Sequence, residues 1–297
     1  MIASKLNKYF RESLDFLLFS NLFIALCAIA QGLVTYQLLD VKPEKYVLAF
    51  LFCATIAQYN FAILLSKPKD PTKSRFRRVH WIFSHYRLMI SITLIATLCL
   101  IPLFFFLSLT GQILMVFLGM LSVGYSLPIF SFHDKKFGLR NIPGIKLFLI
   151  ALVWSLSSVL LPILEIESNQ LSAITSRDTI LLIAKRFLFI AAITIPFDIR
   201  DLFQDRSSAL KTIPVLLGEK KAYFICQILL AIYLVLLFLF TNQFDYKFFG
   251  LMLTIFLTGW LIFRSNFKKN EYFYFLFLDG TMILQFFVLL LFSLIKF

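Results

Sequence analysis

The stretch TILLIAKRFLFIAAITIPF at residues 179–197, followed by DIRDLFQDR at residues 198–206, decides the fold class of this chain. The first part is an apolar run of the length that a helix needs to cross a hydrocarbon core of roughly 30 Å. The second part places three aspartates where such a helix leaves the bilayer. Because carboxylates beside lipid are costly and usually functional, this junction indicates a membrane protein with a polar site at one face.

The same apolar pattern recurs along the chain, with short polar connections between the runs. The chain is 60% hydrophobic and 15% charged, a composition that excludes a soluble domain of 297 residues. The runs are continuously apolar rather than alternating, which excludes the strands of a membrane β-barrel. We therefore predict an all-α fold with nine transmembrane helices. The predicted spans lie near residues 14–36, 46–65, 88–108, 113–130, 145–163, 179–197, 222–240, 248–263 and 272–294.

Lysine and arginine collect in alternate connections, beginning with the N-terminal segment. The positive-inside rule then predicts a cytoplasmic N-terminus and an external C-terminus. Membrane orientation also accounts for the net charge of +13, so no nucleic-acid partner is expected. We expect residues 1–297 to form a single transmembrane domain, integral and multi-pass, in a bacterial inner membrane.

Asp198, Asp201 and Asp205 are spaced i, i+3 and i+7. On a continuous helix this spacing places the three carboxylates within about 60° of one another on one face. Three like charges on one face repel, so the arrangement needs cations. The sequence supplies three basic residues nearby, namely Arg200, Arg206 and Lys211.

Two interpretations of this aspartate group compete. In the structural interpretation, the three basic residues neutralise the aspartates as a solvated cap. In the functional one, the carboxylates bind Mg²⁺, a hard cation that prefers oxygen ligands and commonly bridges to phosphate. The neighbouring cations then hold the phosphate directly. We favour the functional interpretation.

Residues 184–222, AKRFLFIAAITIPFDIRDLFQDRSSALKTIPVLLGEKKA, resemble the second Asp-rich region of the UbiA superfamily of intramembrane prenyltransferases. The nine-span plan is also that of this family, so the resemblance covers most of the chain. The matching elements of this region are Asp198-x-x-Asp201-x-x-x-Asp205, Lys211-Thr212-Ile213-Pro214 and Leu217-Gly218. A second match is Gly124-Tyr125-Ser126-Leu127-Pro128, followed by Lys135, Lys136 and Gly138.

The resemblance implies nine helices around a central cavity that opens laterally to lipid. It also implies two Asp-rich motifs whose Mg²⁺ ions hold a prenyl diphosphate while an acceptor traps the allylic cation. On this basis Asp198, Asp201 and Asp205 are the expected metal ligands and catalytic residues, together with Lys211. Arg200 and Arg206 are expected to bind substrate.

The first motif of the family, Asn-Asp-x-x-Asp-x-x-x-Asp after the second span, is degenerate in this chain. Asn60 is retained as a candidate substrate-binding residue, but Phe61, Leu64 and Pro68 occupy the three aspartate positions. Half of the metal site is therefore missing.

The basic segment at residues 67–78 offers a replacement, because its cations are able to neutralise an anionic headgroup without metal. The alternative is that these cations follow the orientation rule and contact anionic lipid heads. We favour this alternative for most of them and single out Lys73 and Arg77 as candidate substrate ligands.

Two further residues are candidates for substrate binding. Asp279 lies inside the ninth span, where it either lines a pocket or makes an interhelical hydrogen bond. Tyr125 either faces an allylic cation, which an aromatic ring stabilises, or packs in the core.

We therefore predict a prenyltransferase that uses a prenyl diphosphate, a lipophilic acceptor and Mg²⁺ in contact with membrane lipids. The alternative is a non-catalytic UbiA-like protein that binds an isoprenoid or lipid phosphate, or a membrane subunit of an assembly. A transporter is less favoured, since only ten glycines occur to break helices.

Overall fold

The computed structural model describes residues 2–68, 70–127, 130–132, 135–137, 144–166, 175–207, 210–240, 244–266 and 268–295. Pro128 and Gly138, which belong to the second sequence match, lie outside the described residues. The described part is almost wholly helical, so the predicted all-α fold is confirmed.

Long apolar helices follow one another along the chain, with short helices near the aspartates. The helices are α1 (Ile2–Phe19), α2 (Leu22–Leu38), α3 (Lys45–Leu65), α4 (Arg77–Ser84), α5 (Tyr86–Phe106), α6 (Leu109–Ser126), α7 (Ile145–Leu164), α8 (Ser176–Arg200), α9 (Leu202–Ser207), α10 (Ile213–Leu217), α11 (Glu219–Phe240), α12 (Tyr246–Arg264) and α13 (Phe273–Ile295). A hairpin of β1 (Phe130–Phe132) and β2 (Lys135–Phe137) follows α6, with Phe130 opposite Phe137.

Seven of the described helices are long and apolar enough to cross a membrane: α3, α5, α7, α8, α11, α12 and α13. The pair α1 and α2 passes the same criterion only as a bent unit, and α6 is a shorter apolar helix. The predicted spans therefore coincide with apolar helices, although nine full-length spans are not found in the described part. The fourth predicted span, residues 113–130, is displaced by four residues, because α6 runs from Leu109 to Ser126 and Phe130 is already in a strand.

The first predicted span, residues 14–36, is wrong as a continuous helix. The chain bends by 61° between Lys8–Phe19 and Leu22–Leu38. The bend is made at Asn21, whose φ of 67° lies in the left-handed region that asparagine tolerates better than most residues. The side chain of Asn21 turns inward and donates from Nδ2 to Oδ1 of Asn60 at 2.6 Å. The bend between α1 and α2 is thus joined to α3 by a buried hydrogen bond.

The spanning helices pack as a bundle around α8, which contacts α7 on one side and α11 on the other. Helix α2 packs against α3 and α13, while α5 packs on α3 and α12 joins α11 to α13. Along α8, side chains such as Phe189, Ile195 and Ile199 are fully buried in the bundle. Outward-facing apolar residues such as Phe105 remain exposed, as lipid-facing residues do in a membrane bundle. Helix α6 packs on α7 and only sparsely on α3, which leaves a cavity between these helices.

Candidate functional site

The three aspartates do not lie on one continuous helix. Helix α8 ends at Arg200, Asp201 caps it with φ −90° and ψ 6°, and α9 begins at Leu202. Asp198 therefore belongs to the last turn of the span, whereas Asp205 belongs to the short helix beyond the break. The break separates the carboxylates, so each has its own partners.

Asp198 is paired with Lys146. The Lys146 ammonium group donates to Oδ1 of Asp198 at 2.5 Å, and Asp198 is only 2% exposed. Lys146 lies in the first turn of α7, so this ion pair joins α7 to α8. The charge of Asp205 acts on the same ammonium group. The sequence gives no sign of this ion pair, because a contact across 52 residues leaves no local pattern.

Asp201 is paired with its sequence neighbour Arg200 by two parallel hydrogen bonds. Arg200 Nε donates to Oδ1 at 2.8 Å and Nη2 donates to Oδ2 at 2.9 Å. This fork geometry is the strong form of an arginine–carboxylate pair. The guanidinium group is also enclosed by aromatic rings at 5.1 to 5.5 Å, those of Phe76, Phe197, Tyr274 and Phe275. For Asp201 the structure thus has the neutralised arrangement of the structural interpretation.

Asp205 is buried and accepts a hydrogen bond from Thr212 Oγ1 at 3.2 Å. Among the side chains that the structure describes, which do not include those of residues 135–137, no lysine or arginine nitrogen lies within 4 Å of its carboxylate. Burial raises the pKa of Asp205 above its ordinary value, although the charge of Lys146 opposes this effect. Arg206 and Lys211 are exposed, and among the described residues neither forms an ion pair with the three aspartates.

The degenerate motif lies beside the apolar cavity. Asn60 is fully buried and accepts the hydrogen bond from Asn21. Phe61, which stands at an aspartate position, lines the cavity and is 39% exposed. An aromatic wall therefore occupies the place where the family motif has a carboxylate.

Arg78 brings a cation to this part of the site. Its Nη2 donates to Oδ1 of Asn21 at 2.5 Å, and its guanidinium carbon lies 4.7 Å from the centre of the Phe275 ring. Burial lowers the pKa of Arg78 to about 10, and repulsion by Arg200 acts in the same direction. The backbone N–H of Arg78 donates to the half-buried Glu271 at 3.2 Å. Burial raises the pKa of that carboxyl group against the attraction of both arginines.

Lys73 and Arg77, the cations singled out from the sequence, have other partners. The Lys73 ammonium group lies 3.5 Å from a carboxylate oxygen of Asp70 and is exposed. Arg77 forms an ion pair with the buried Asp15 of α1, which also accepts from the Tyr272 hydroxyl. Arg77 therefore fixes α4 between α1 and α13, whereas the next residue, Arg78, lines the cavity.

Asp279 follows a π-helical segment, Phe273–Leu278, at the start of α13. The charges of Arg78 and Arg200 act on its carboxylate. Its side chain makes no hydrogen bond or ion pair within 4 Å among the described residues. Among the described residues Asp279 therefore makes no interhelical hydrogen bond through its side chain and interacts electrostatically with Arg78 and Arg200, while its predicted role in lining a pocket stays a prediction.

The cavity has two lobes that share Gln58, Tyr59, Ser122, Val153 and Trp154. The larger lobe, about 390 Å³, is lined mainly by apolar side chains of α3, α5, α6 and α7. The smaller lobe, about 260 Å³, reaches Tyr125 and Arg78. Its lining includes Leu149 and Ile150, one helical turn beyond Lys146, so the lobe ends close to the Lys146–Asp198 pair.

The carboxylates of Asp198 and Asp205 fit a magnesium ion only in part. Among the described residues no three His, Cys, Asp or Glu side chains converge on a metal position. Magnesium is often held by one or two carboxylates, with water and phosphate oxygens completing its six ligands. Asp198 and Asp205, which interact electrostatically, are the two carboxylates that would hold such an ion, and Lys146 now occupies Asp198.

The fold is that of solved UbiA homologues. A structure of a UbiA homologue from Archaeoglobus fulgidus bound to DMAPP and Mg²⁺ has a TM-score of 0.64 and 15% identity, covering 93% of this chain and 96% of that chain. A structure of a UbiA homologue from the same organism bound to GPP and Mg²⁺ gives 0.63 and 13%, with 93% and 99% covered.

A structure of digeranylgeranylglyceryl phosphate synthase is also similar, with a TM-score of 0.56, 12% identity and coverage of 95% of this chain and 98% of that chain. No family model and no curated protein matches the chain. Both chains are covered almost completely in each structural match, so the predicted UbiA-like fold is confirmed. The chain is an integral, multi-pass membrane protein with this fold.

Proposed function

We propose that this protein is a prenyltransferase that moves an isoprenoid from a prenyl diphosphate to a lipophilic acceptor within the membrane. The observation that carries the proposal is the two-lobed apolar cavity, which ends at Arg78 and Tyr125, one helical turn from the Lys146–Asp198 pair. A prenyl diphosphate has the same division, with a long apolar chain on a compact polyanion. Similar folds solved with GPP or DMAPP and Mg²⁺ support this assignment.

The residues at the polar end supply charge for the departing diphosphate. Asp198 and Asp205 would hold Mg²⁺, which neutralises the charge that develops on the leaving group. Tyr125 and Trp154 line the cavity where the allylic carbon would lie, and aromatic rings stabilise a cation at close range. The apolar walls keep water from the cation, so that the acceptor rather than water captures it.

A non-catalytic role in binding an isoprenoid or lipid phosphate is the second candidate. Two of the three aspartates are engaged by cations, Asp198 by Lys146 and Asp201 by Arg200. Phe61 also replaces a carboxylate of the first motif. Both features favour binding without turnover, whereas the buried Asp205, with no cation within 4 Å in the described part, favours a metal-assisted reaction.

The experiment that separates these roles measures pyrophosphate release. Purified protein in lipid nanodiscs is incubated with geranyl, farnesyl or geranylgeranyl diphosphate, Mg²⁺ and a membrane lipid extract as the source of acceptor. We expect release by the wild type and a loss of at least about 100-fold in Asp198→Asn, as for removal of a major electrostatic stabiliser.

Asp40→Asn is the matched control, because Asp40 also forms an ion pair, with Lys247, but lies after the C-terminus of α2 and away from the aspartate group. Its φ of 55° suits asparagine as well as aspartate. Binding of the labelled diphosphates without release of pyrophosphate would replace the transferase by the binding role.

We further propose a bacterial inner membrane as the location, with the N-terminus in the cytoplasm.

A further inference from the structure

A chain of two hydrogen bonds connects α4 to the degenerate first motif. Arg78 Nη2 donates to Oδ1 of Asn21 at 2.5 Å, and Nδ2 of the same amide donates to Oδ1 of Asn60 at 2.6 Å. Asn60 is the retained residue of the motif, and the next position is the cavity-lining Phe61. The guanidinium group therefore lies beside the segment that has lost its carboxylates.

The position of Arg78 is fixed from three sides. Its backbone N–H donates to Glu271, its guanidinium lies over Phe275, and its neighbour Arg77 is bound to Asp15. These contacts come from α1, from α13 and from Glu271, two residues before α13. A cation held in this way loses little conformational freedom when it binds a ligand.

The guanidinium of Arg78 lacks a direct counterion in the described part of the chain. No carboxylate oxygen lies within 4 Å of it, and its buried Nε has no hydrogen-bond partner among the described residues. The guanidinium group of Arg200 lies over the same Phe275 ring at 5.1 Å, and its positive charge repels that of Arg78. Glu271 and Asp279 attract both arginines from a distance, but neither places a carboxylate oxygen within 4 Å of the Arg78 guanidinium. An anion in direct contact with this buried cation would therefore stabilise it further.

Arg78 also has access to the space that the proposed function assigns to the substrate. It is the one charged residue among the described residues that line the smaller lobe. The rest of that lining is apolar, aromatic or neutral polar. An anion that enters with an apolar chain therefore meets this guanidinium at the end of the lobe.

We propose that Arg78 binds a phosphate group of the prenyl diphosphate directly and replaces the metal site that the degenerate first motif has lost. This inference rests on the proposed function and extends it, because it makes part of substrate binding independent of Mg²⁺. A guanidinium group matches phosphate oxygens with two parallel hydrogen bonds and remains charged at every physiological pH. A fixed cation of this kind needs no carboxylate ligands, which accounts for Phe61, Leu64 and Pro68 at the former aspartate positions.

The test measures affinity for geranyl diphosphate by calorimetry in detergent micelles, once in EDTA and once in Mg²⁺. We expect the wild type to bind in EDTA and Arg78→Met to bind at least tenfold more weakly, which corresponds to about 1.4 kcal/mol. Arg78→Lys keeps the charge without the fork and should recover part of the affinity. Asp198→Asn should weaken only the additional binding that Mg²⁺ provides.

Arg87→Met is the matched control, since it makes the same substitution at an exposed arginine on α5. Geraniol, which has no phosphate, and inorganic pyrophosphate, which has no chain, separate the contributions of the two halves of the ligand. Unchanged geraniol binding and an unchanged unfolding temperature in Arg78→Met show that this variant is folded.

Equal affinities of Arg78→Met and wild type in EDTA would overturn the role of Arg78. So would a wild type that binds only in Mg²⁺, and in both cases the proposed function stands. Farnesyl and geranylgeranyl diphosphate are measured in the same way, and a wild type that binds none of the three diphosphates in either condition would overturn the proposed function as well.

Discussion

Lys146 and Arg200 set the charge of the aspartate group, because each is bonded to one of its carboxylates. The aspartates themselves were predictable, since they form a local pattern in an otherwise apolar stretch. Their partners were not equally predictable. Arg200 is adjacent to Asp201, whereas Lys146 is 52 residues from Asp198 and meets it only through the packing of α7 on α8.

Lys146→Met tests whether the ammonium group competes with a metal ion for Asp198. The substitution leaves a buried carboxylate without its cation, so we expect apparent Mg²⁺ affinity to rise about tenfold, or about 1.4 kcal/mol. The measurement is the unfolding temperature of the purified protein during an Mg²⁺ titration in the absence of substrate. Lys247→Met removes a similar ion pair, that with Asp40, and should leave Mg²⁺ affinity unchanged. Equal affinities in all three proteins would show that Lys146 does not occupy the metal position.

The N-terminus of α6 lies against the buried carboxylate of Glu165, the residue that follows α7. Glu165 accepts from the backbone N–H and the hydroxyl of Ser108, the residue that caps α6, and from the hydroxyl of Tyr46 on α3. A negative charge at a helix N-terminus is favourable, because the helix dipole is positive there. This contact fixes the end of α6 that lies farthest from the aspartates and so holds one wall of the cavity.

Gly111→Ala is expected to destabilise the protein by about 2 kcal/mol, because the new methyl group would overlap Oε1 of Glu165, which its hydrogen bonds hold in place. Gly119→Ala on the same helix is the control, since an added Cβ there has no neighbour within 4 Å. Alanine should stabilise the helix at that position by up to about 1 kcal/mol. Thermal unfolding in detergent compares the two variants, and equal unfolding temperatures would contradict the role of Glu165.

A buried polar network joins the spanning helices at a distance from the aspartates. Arg186 on α8 donates to the side-chain and backbone oxygens of Gln31 on α2, and it forms no ion pair among the described residues. Gln31 in turn donates to the backbone oxygen of Met282 at 2.8 Å and to Gln285 at 3.2 Å. Thr35 extends the network to α7 through the backbone oxygen of Ser158. The network thus links four helices, α2, α7, α8 and α13.

Gln31→Leu should destabilise the whole bundle by about 3 kcal/mol, because it leaves Arg186 as a buried cation with fewer acceptors. The double variant Gln31→Leu with Arg186→Leu should recover part of this loss, since it removes the charge together with its partner. Gln37→Leu, on the same helix, serves as the control and is expected to change stability by less than about 0.5 kcal/mol. Additive effects of Gln31→Leu and Arg186→Leu in thermal unfolding would mean that the two side chains are not coupled.

Several features of the bundle were readable from local pattern. Runs of about 20 apolar residues predict spans, because each span satisfies its backbone hydrogen bonds internally and needs only an apolar surface. The bend at Asn21 was not predicted, because a single asparagine in an apolar run does not indicate that one helix ends and another begins. The difference between Arg77 and Arg78 is hidden in the sequence for a related reason. On a basic segment, composition does not tell which side chain faces a cavity and which binds Asp15.

The sequence by itself determined the membrane class, the helical architecture, the aspartate group and the loss of the first motif. These properties depend on hydropathy and on spacing along one chain segment, and neither requires knowledge of neighbouring helices. Only the tertiary structure decided that α8 ends at Arg200, that Lys146 occupies Asp198, and that Arg78 lines the cavity. Ion pairs and cavities arise between segments that packing brings together, so their partners are fixed by the arrangement of helices rather than by any local run of residues.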